Sequence, residues 1–350
     1  MTSAEEIIPK NILQKVVKSN PEQILQEILF KKYGNRFLEY RKNYKQTIAD
    51  YEHEYNFDYP LTVVLELVNR CDLECVMCYQ GLRNDAEKFT VNEEILDKIF
   101  DDFKKNKLSA LMLSASEPLL FKQIDKVLEK AKKAEIMDFF LFTNGTLLNE
   151  KNSEMILNSS ITRLFISLDA ATEETYNKVR IPVSKKRLEE KNRLQKIENN
   201  VKKFIQLRNS KKQSLPLTRV SFVALEENKH EIEMFKTKWQ NIVDSVDIQR
   251  ETSIEVYDKL KMLEKDEYKT DKEAKYNCVK PWGDMAIYSD GTVGPCCNLV
   301  GRKTPIGNIK DNSIKQIWNG KAMTELRQGF INNNPNDTCK ICIDSQKINI

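Results

Sequence analysis

Histidine is almost missing from this chain: 350 residues contain two, His53 and His230, both in polar, helix-like surroundings that read as surface. That scarcity removes most schemes built on an imidazole base or a histidine-rich zinc site. Long apolar runs are missing too, since nothing approaches the roughly 18 to 20 consecutive apolar residues that span a bilayer. The opening residues Met1-Thr2-Ser3-Ala4-Glu5-Glu6 lack the basic and apolar regions of a secretion signal. Nor is there a strong charge of one sign: 56 basic against 52 acidic side chains leave +4, which points to neither nucleic acid nor an anionic membrane. Runs such as Lys185-Lys186-Arg187 and Lys211-Lys212 read as solvated faces. The expectation is a cytoplasmic protein without nucleic-acid or membrane partners, in which eight cysteines are metal ligands rather than disulfides.

Hydrophobic content of 40% and charged content of 31% are those of a globular chain. Residues 1–60 read as a helical extension, punctuated by Asn20-Pro21 and Gly34, with Ile24, Leu25, Ile28 and Leu29 at helical spacing. It reads as an arm packed on the main domain, in preference to a substrate cap or dimer contact. From 61 to 250, short apolar runs alternate with amphipathic stretches. The runs are Leu61–Val68, Ala110–Leu113, Phe139–Phe142, Leu164–Leu168, Val220–Ala224 and Val246–Ile248. Such alternation predicts a parallel sheet with helical crossovers, and six units are too few for a closed eight-stranded barrel. Residues 251–275 read as linker plus helix, and 276–350 as a small second module.

The most informative stretch is Asn69-Arg70-Cys71-Asp72-Leu73-Glu74-Cys75-Val76-Met77-Cys78-Tyr79, three cysteines at C-x3-C-x2-C spacing directly after the first apolar run. A strand entering this loop presents the thiols at its C-terminal end, where α/β folds gather ligands. Zinc sites favour paired C-x2-C units, which this spacing fits poorly. Three thiolates leave one iron of a [4Fe–4S] cluster with an open position, the mark of a reactive site. This spacing resembles the signature of radical S-adenosylmethionine (SAM) enzymes, with Met77 where the family usually has an aromatic residue and Tyr79 just after.

The resemblance implies a partial (β/α)6 TIM-like barrel and a cluster on Cys71, Cys75 and Cys78 that chelates SAM. It further implies reductive cleavage of SAM to a 5′-deoxyadenosyl radical, with the electron supplied by an external reductant such as flavodoxin or ferredoxin. Met77 and Tyr79 would flank the cofactor. Ala115-Ser116-Glu117-Pro118 matches the family's glycine-glycine-glutamate-proline run with both glycines replaced, and implies a cofactor role for Glu117. Asn144 in Thr143-Asn144-Gly145 would line the SAM cavity. Ser167 and Asp169 share one face of their strand, and the resemblance places them at the SAM ribose and Arg180 at the SAM carboxylate. A salt bridge from Arg180 to Glu173 or Glu174 is the alternative. Val223 and Asn228 complete the implied pocket.

In the last module, Asp290-Gly291 between apolar runs signals a hairpin that brings Cys278 near Cys296, and Cys339-Lys340-Ile341-Cys342 can close a four-thiolate site. Geometry leaves structural zinc and a fully ligated cluster both open. The run Cys278…Asp290-Gly291…Cys296, then Trp318 and C-x2-C, resembles the SPASM/twitch auxiliary-cluster module. That implies one auxiliary [4Fe–4S] cluster on Cys278, Cys296, Cys339 and Cys342, with Cys297 spare and a candidate hydrogen donor. The expected substrate is a small polar molecule (a sugar, nucleotide-sugar or aminocyclitol) that is oxidised or epimerised. Peptide modification is the alternative, and a cluster-carrying electron or scaffold protein ranks last.

Overall fold

The computed structural model describes residues 12–17, 20–49, 57–79, 88–265, 267–268, 274–297 and 299–345. His53 lies outside them, and His230 is exposed. Six parallel strands form the frame: β2 (Thr62–Leu65), β4 (Ala110–Leu113), β5 (Asp138–Thr143), β6 (Arg163–Ser167), β8 (Leu217–Ala224) and β9 (Ser245–Arg250). Each grows from one of the six apolar runs. Helices α3 (Glu93–Asn106), α4 (Ile124–Lys133), α5 (Glu150–Leu157), α6 (Glu173–Val179), α8 (Arg193–Ser210) and α9 (Ile232–Trp239) make the crossovers. This is the expected partial (β/α)6 barrel.

Alternation along the strands sets what faces where. Val63, Leu65, Leu111, Leu113, Leu141, Leu164, Ile166, Val220, Phe222, Val246 and Ile248 belong to the core shared with the helices. The intervening residues face the barrel interior: Val64, Met112, Phe142, Phe165, Ser167, Arg219, Ser221 and Asp247. There Phe142 and Phe165 meet edge-to-face at 4.9 Å, and Arg219 lies 3.5 Å over the Phe165 ring while pairing with Asp247 at 2.7 Å.

The first residues are not uniformly helical. Residues Ile12–Val17 form strand β1, which pairs antiparallel with β9, Val17 opposite Ser245. The cause is the open barrel: its outermost strand exposes unpaired N–H and C=O groups, which an added strand satisfies. The opposite edge is covered by the C-terminal module. Strand β10 (Asp284–Ile287) pairs parallel with β2, Val63 opposite Met285, and β11 (Thr292–Gly294) and β12 (Gly307–Asn308) continue antiparallel. The ten-stranded order is β1-β9-β8-β6-β5-β4-β2-β10-β11-β12. The hairpin of the second module is thus a direct extension of the barrel sheet. Trp282 and Trp318 are core residues, 3% and 0% exposed, rather than cavity lining.

Helices α1 (Pro21–Tyr33) and α2 (Asn35–Ala49) lie beneath the barrel. Asn20 caps α1 by accepting from Gln23 N–H at 3.3 Å, Pro21 takes the first helical position, and Gly34 at φ 55° ends it. Leu25, Leu29, Phe37 and Tyr40 pack against Ala110, Met137 and Leu217 at the N-terminal ends of the strands. Glu22 accepts two bonds from Arg163, at 2.7 and 2.6 Å, and Arg163 also donates to Asp138 at 3.0 Å. This arm closes the end opposite the cysteine loop. Leu25→Ala is expected to cost about 2–4 kcal/mol, because Leu25 is fully buried, without changing SAM cleavage. Denaturant unfolding and deoxyadenosine assays measure the two effects separately.

Candidate active site

The three-cysteine loop has only a sliver of regular structure, β3 (Leu73–Cys75), which pairs with β7 (Arg180–Pro182), Cys75 opposite Arg180. Side chains from three neighbouring loops hold the rest. Asp72 accepts from Asn144 Nδ2 and Thr146 Oγ1, each at 2.7 Å, and from Arg187 at 2.5 Å. Burial alone would raise the Asp72 pKa, but these donors outweigh it and hold the carboxyl below its usual value. Asn144 also donates to Cys71 Sγ at 3.5 Å, and Arg180 Nη1 to Cys75 Sγ at 3.4 Å. Met77 is buried with Leu73, Cys75 and Val179, and Val223 from the end of β8 packs on this same cluster.

The expected cofactor residues therefore converge, with altered roles for several. Asp169, fully buried and left-handed at φ 59°, directs one oxygen to Arg180 and accepts from Val223 N–H at 2.7 Å with the other. It positions Arg180 instead of presenting itself to a ribose. Arg180 does not pair with Glu173 or Glu174: Glu173 caps the start of α8, and Glu174 holds Lys178. Asn228 is 0% exposed and its amide is fully engaged, donating to the Asp169 and Val223 carbonyls at 2.9 Å and accepting from Leu225 N–H at 2.7 Å. It latches the end of β8 to the Asp169 turn. Ser167 stays on the inner face, in register with Ser221. Tyr79 packs away from this pocket's walls, among Val256, Leu260, Leu299, Val300, Ile341, Cys296 and Cys342.

Glu117 is likewise turned onto the neighbouring loop. It accepts from Asn144 N–H at 2.8 Å, Leu119 N–H at 3.1 Å and Thr143 Oγ1 at 3.0 Å, and is 1% exposed. It ties the β4 turn to the β5 turn. The replaced glycine matters here: Ala115 adopts φ 74°, a region where a Cβ is strained, while Ser116 Oγ donates to the Val68 carbonyl.

The remaining cysteines divide into two groups. Cys339 and Cys342 lie on one face of a short helix (Asp337–Asp344) whose cap, Asn336, accepts from Cys339 N–H at 2.8 Å. Burial raises the Cys278 and Cys339 thiols to about 11 and about 12, and each senses Cys342. Cys296 packs in the apolar cluster that contains Cys342. Cys297 instead packs with Val64, Met112, Ala286 and Tyr288, which face the barrel interior. Glu66, at the end of β2, joins the two halves: it accepts from Ser289 Oγ at 2.8 Å and Arg302 at 2.5 Å, and Arg302 lies 3.9 Å over Tyr288.

These donor sets suit the expected cofactors. Among the described residues no group of three histidines, cysteines or carboxylates closes on one point as a single metal ion requires. A cubane cluster holds its thiolates farther apart than a single ion does, and donors aimed at the Cys71 and Cys75 sulfurs are what an electron-rich cluster needs. Arg180 Nε is buried without a partner, a donor left over for a bound carboxylate.

Sequence comparison agrees. The Radical SAM superfamily model matches residues 65–238, and the SPASM iron–sulfur cluster-binding domain matches 278–343. The chain belongs to the radical SAM superfamily and carries a SPASM domain. It is 31% identical over 118 residues to a Methanocaldococcus jannaschii protein named probable GTP 3',8-cyclase, a stretch covering 33% of this chain and only 38% of that relative. Among solved structures, Streptococcus suis SuiB bound to its precursor peptide SuiA matches at TM-score 0.57 and 15% identity, over 83% of this radical SAM chain and 71% of SuiB. The protein anSMEcpe with bound AdoMet matches at 0.56 and 17%, over 77% and 81%. These two share the fold. A SAM-binding cluster and an auxiliary cluster follow from the two domains. Among the described residues no helix is long and apolar enough to cross a membrane.

Several site residues escaped sequence reading. Asp72, Thr146 and Arg187 act through contacts between distant loops and carry no local signal. Asp247 was legible in principle, because it alternates with apolar Val246 and Ile248 as Ser167 does with Ile166 and Leu168.

Ala115→Gly is expected to relieve backbone strain and raise stability by about 0.5–1 kcal/mol, read from thermal unfolding. Burial raises the Glu117 pKa from 4.5 to about 7 against the pull of its three donors. The folded chain thus holds that proton more tightly than the unfolded chain. The resulting stabilisation is full below pH 4.5 and is lost as pH rises through 7. Glu117→Gln is expected to remove that part of the pH dependence, measured as thermal midpoints of reconstituted protein across this range.

Proposed function

We propose that this chain cleaves SAM reductively and abstracts hydrogen from a small polar substrate inside the barrel, epimerising or oxidising it at a carbinol carbon. When bound, the Cys71–Cys75–Cys78 cluster and SAM would supply a 5′-deoxyadenosyl radical. Arg180, oriented by Asp169 and free at Nε, would hold the SAM carboxylate as a fixed guanidinium. Asn144 holds Cys71, Ser167 on the inner face of β6 would meet the ribose, and Glu117 and Asn228 keep the surrounding loops in register. Cys278, Cys296, Cys339 and Cys342 would hold the auxiliary cluster. An external one-electron reductant is required, as in the family at large.

The position of Cys297 is the observation that carries the choice of outcome. Its thiol packs on inward-facing barrel residues, where it would be placed to return a hydrogen atom to a substrate radical inside the barrel. That supports epimerisation over oxidation, which needs a base that no free inward carboxylate supplies among the described residues: Asp247 is held by Arg219, and Glu66 by Arg302 and Ser289. A small substrate is supported by the helical arm beneath the barrel, and by a relative named for a reaction on GTP. The peptide reading rests on the shared fold with SuiB, bound there to a peptide.

The deciding test is iron content and 5′-deoxyadenosine formation by anaerobically reconstituted protein with dithionite and SAM. About eight irons per chain are expected, and Cys71→Ala should abolish deoxyadenosine. Cys297→Ala should keep all the iron, whereas Cys296→Ala should lose the auxiliary share. Iron loss in the Cys297 variant alone would exchange the two roles. Once a substrate is found, wild type in heavy water should place deuterium on carbon, and Cys297→Ala should not.

A further inference from the structure

The lysine run in 183–191 has no role in the site described above, yet the fold sets it directly on the cysteine loop. Strand β7 pairs with β3 beside Cys75, Val183 N–H donates to the Asp72 carbonyl at 3.1 Å, and Arg187 bonds the Asp72 side chain. The residues between form a short exposed helix, α7 (Lys185–Leu188), on the outer side of the loop. Val183 and Leu188 are 49% and 54% exposed, with Lys185 and Lys186 exposed between them. The stretch carries Lys185, Lys186, Arg187 and Lys191 against Glu189 and Glu190, and Lys196 takes up Glu190 at 3.5 Å. The exposed Glu74 of β3 is the acid facing from the neighbouring strand. An apolar pair ringed by lysines is a surface for brief, charge-steered encounters rather than for core packing.

We propose that Val183–Leu188 is the docking surface for an acidic one-electron carrier protein that reduces the SAM-binding cluster. The proposal rests on the radical SAM reading and names the entry point of its electron. One electron leaves the carrier's reduced flavin, or its own cluster, and one enters the cluster held by Cys71, Cys75 and Cys78. No bond forms, and Asp72 and β7 link this surface to the cysteine loop through backbone and side-chain hydrogen bonds. Lysines beside the path attract the carrier and are released as salt rises, which keeps the complex short-lived.

The experiment uses reconstituted full-length protein and a reduced flavodoxin as the carrier. Lys185→Glu/Lys186→Glu is compared with wild type and with Lys104→Glu/Lys105→Glu, an equal change of charge on the exposed face of α3. In the first variant, flavodoxin-driven deoxyadenosine formation is expected to fall about tenfold at low salt, converging on wild type near 0.5 M salt. Its affinity for oxidised flavodoxin, measured by titration without turnover, should weaken by a similar factor. With dithionite it should match wild type, and the α3 variant should match wild type in every assay. Leu188→Ser should weaken binding at all salt concentrations. Equal flavodoxin affinity and rate in wild type and the lysine variant would overturn the docking proposal alone. Failure of dithionite to yield deoxyadenosine in wild type would overturn the radical SAM reading beneath it.

Discussion

Three thiols within eight residues cannot hold themselves in place, and the site depends on how that loop is suspended. The loop has too little backbone pairing to be rigid, so carboxylates hold it in place. Asp72 gathers donors from the β5 turn and from α7, while Asp169 fixes the arginine that reaches Cys75. Asp169 is fully buried and Asp72 partly so, and either would be costly alone; paired with several donors, each instead specifies one arrangement. The cysteines are thereby referred to β5, β6 and β8 at once.

Strain gathers at the same ends of the strands. Ala115 and Asp169 both take left-handed backbone conformations, and neither is glycine. Asp169 is compensated by the bonds its side chain makes from that conformation. Ala115 has Ser116 beside it, anchored to Val68, and Glu117 after it, anchored to the next turn. Held on both sides, the turn keeps a shape that the residue itself disfavours.

The two halves of the molecule share one sheet. Strand β2 carries the radical SAM loop at its end and pairs on one side with the barrel and on the other with the SPASM hairpin. Glu66, in line with that strand, bonds Ser289 and Arg302 of the second half. Tyr79, one residue after Cys78, lies in the apolar cluster of Cys296 and Cys342. The two cysteine sets are therefore held in a fixed relation by paired backbone and packed side chains.

The sequence alone determined the six strands, the cysteine sets and the family, because hydrophobic period and ligand spacing are local properties that survive in a string of letters. Glu117, Asp169, Arg180 and Asn228 were recognisable as belonging to the site for the same reason. Their tasks were not. Whether a carboxylate meets a ligand or a neighbouring loop depends on contacts tens of residues away, such as Glu117 with Asn144 or Asp72 with Arg187. The strand at Ile12–Val17 was missed because its partner, the open edge of β9, exists only once the barrel has formed. Cys296 and Cys297 are adjacent and chemically identical in the chain; only packing separated them, one beside Cys342 and the other against the inner wall of the barrel.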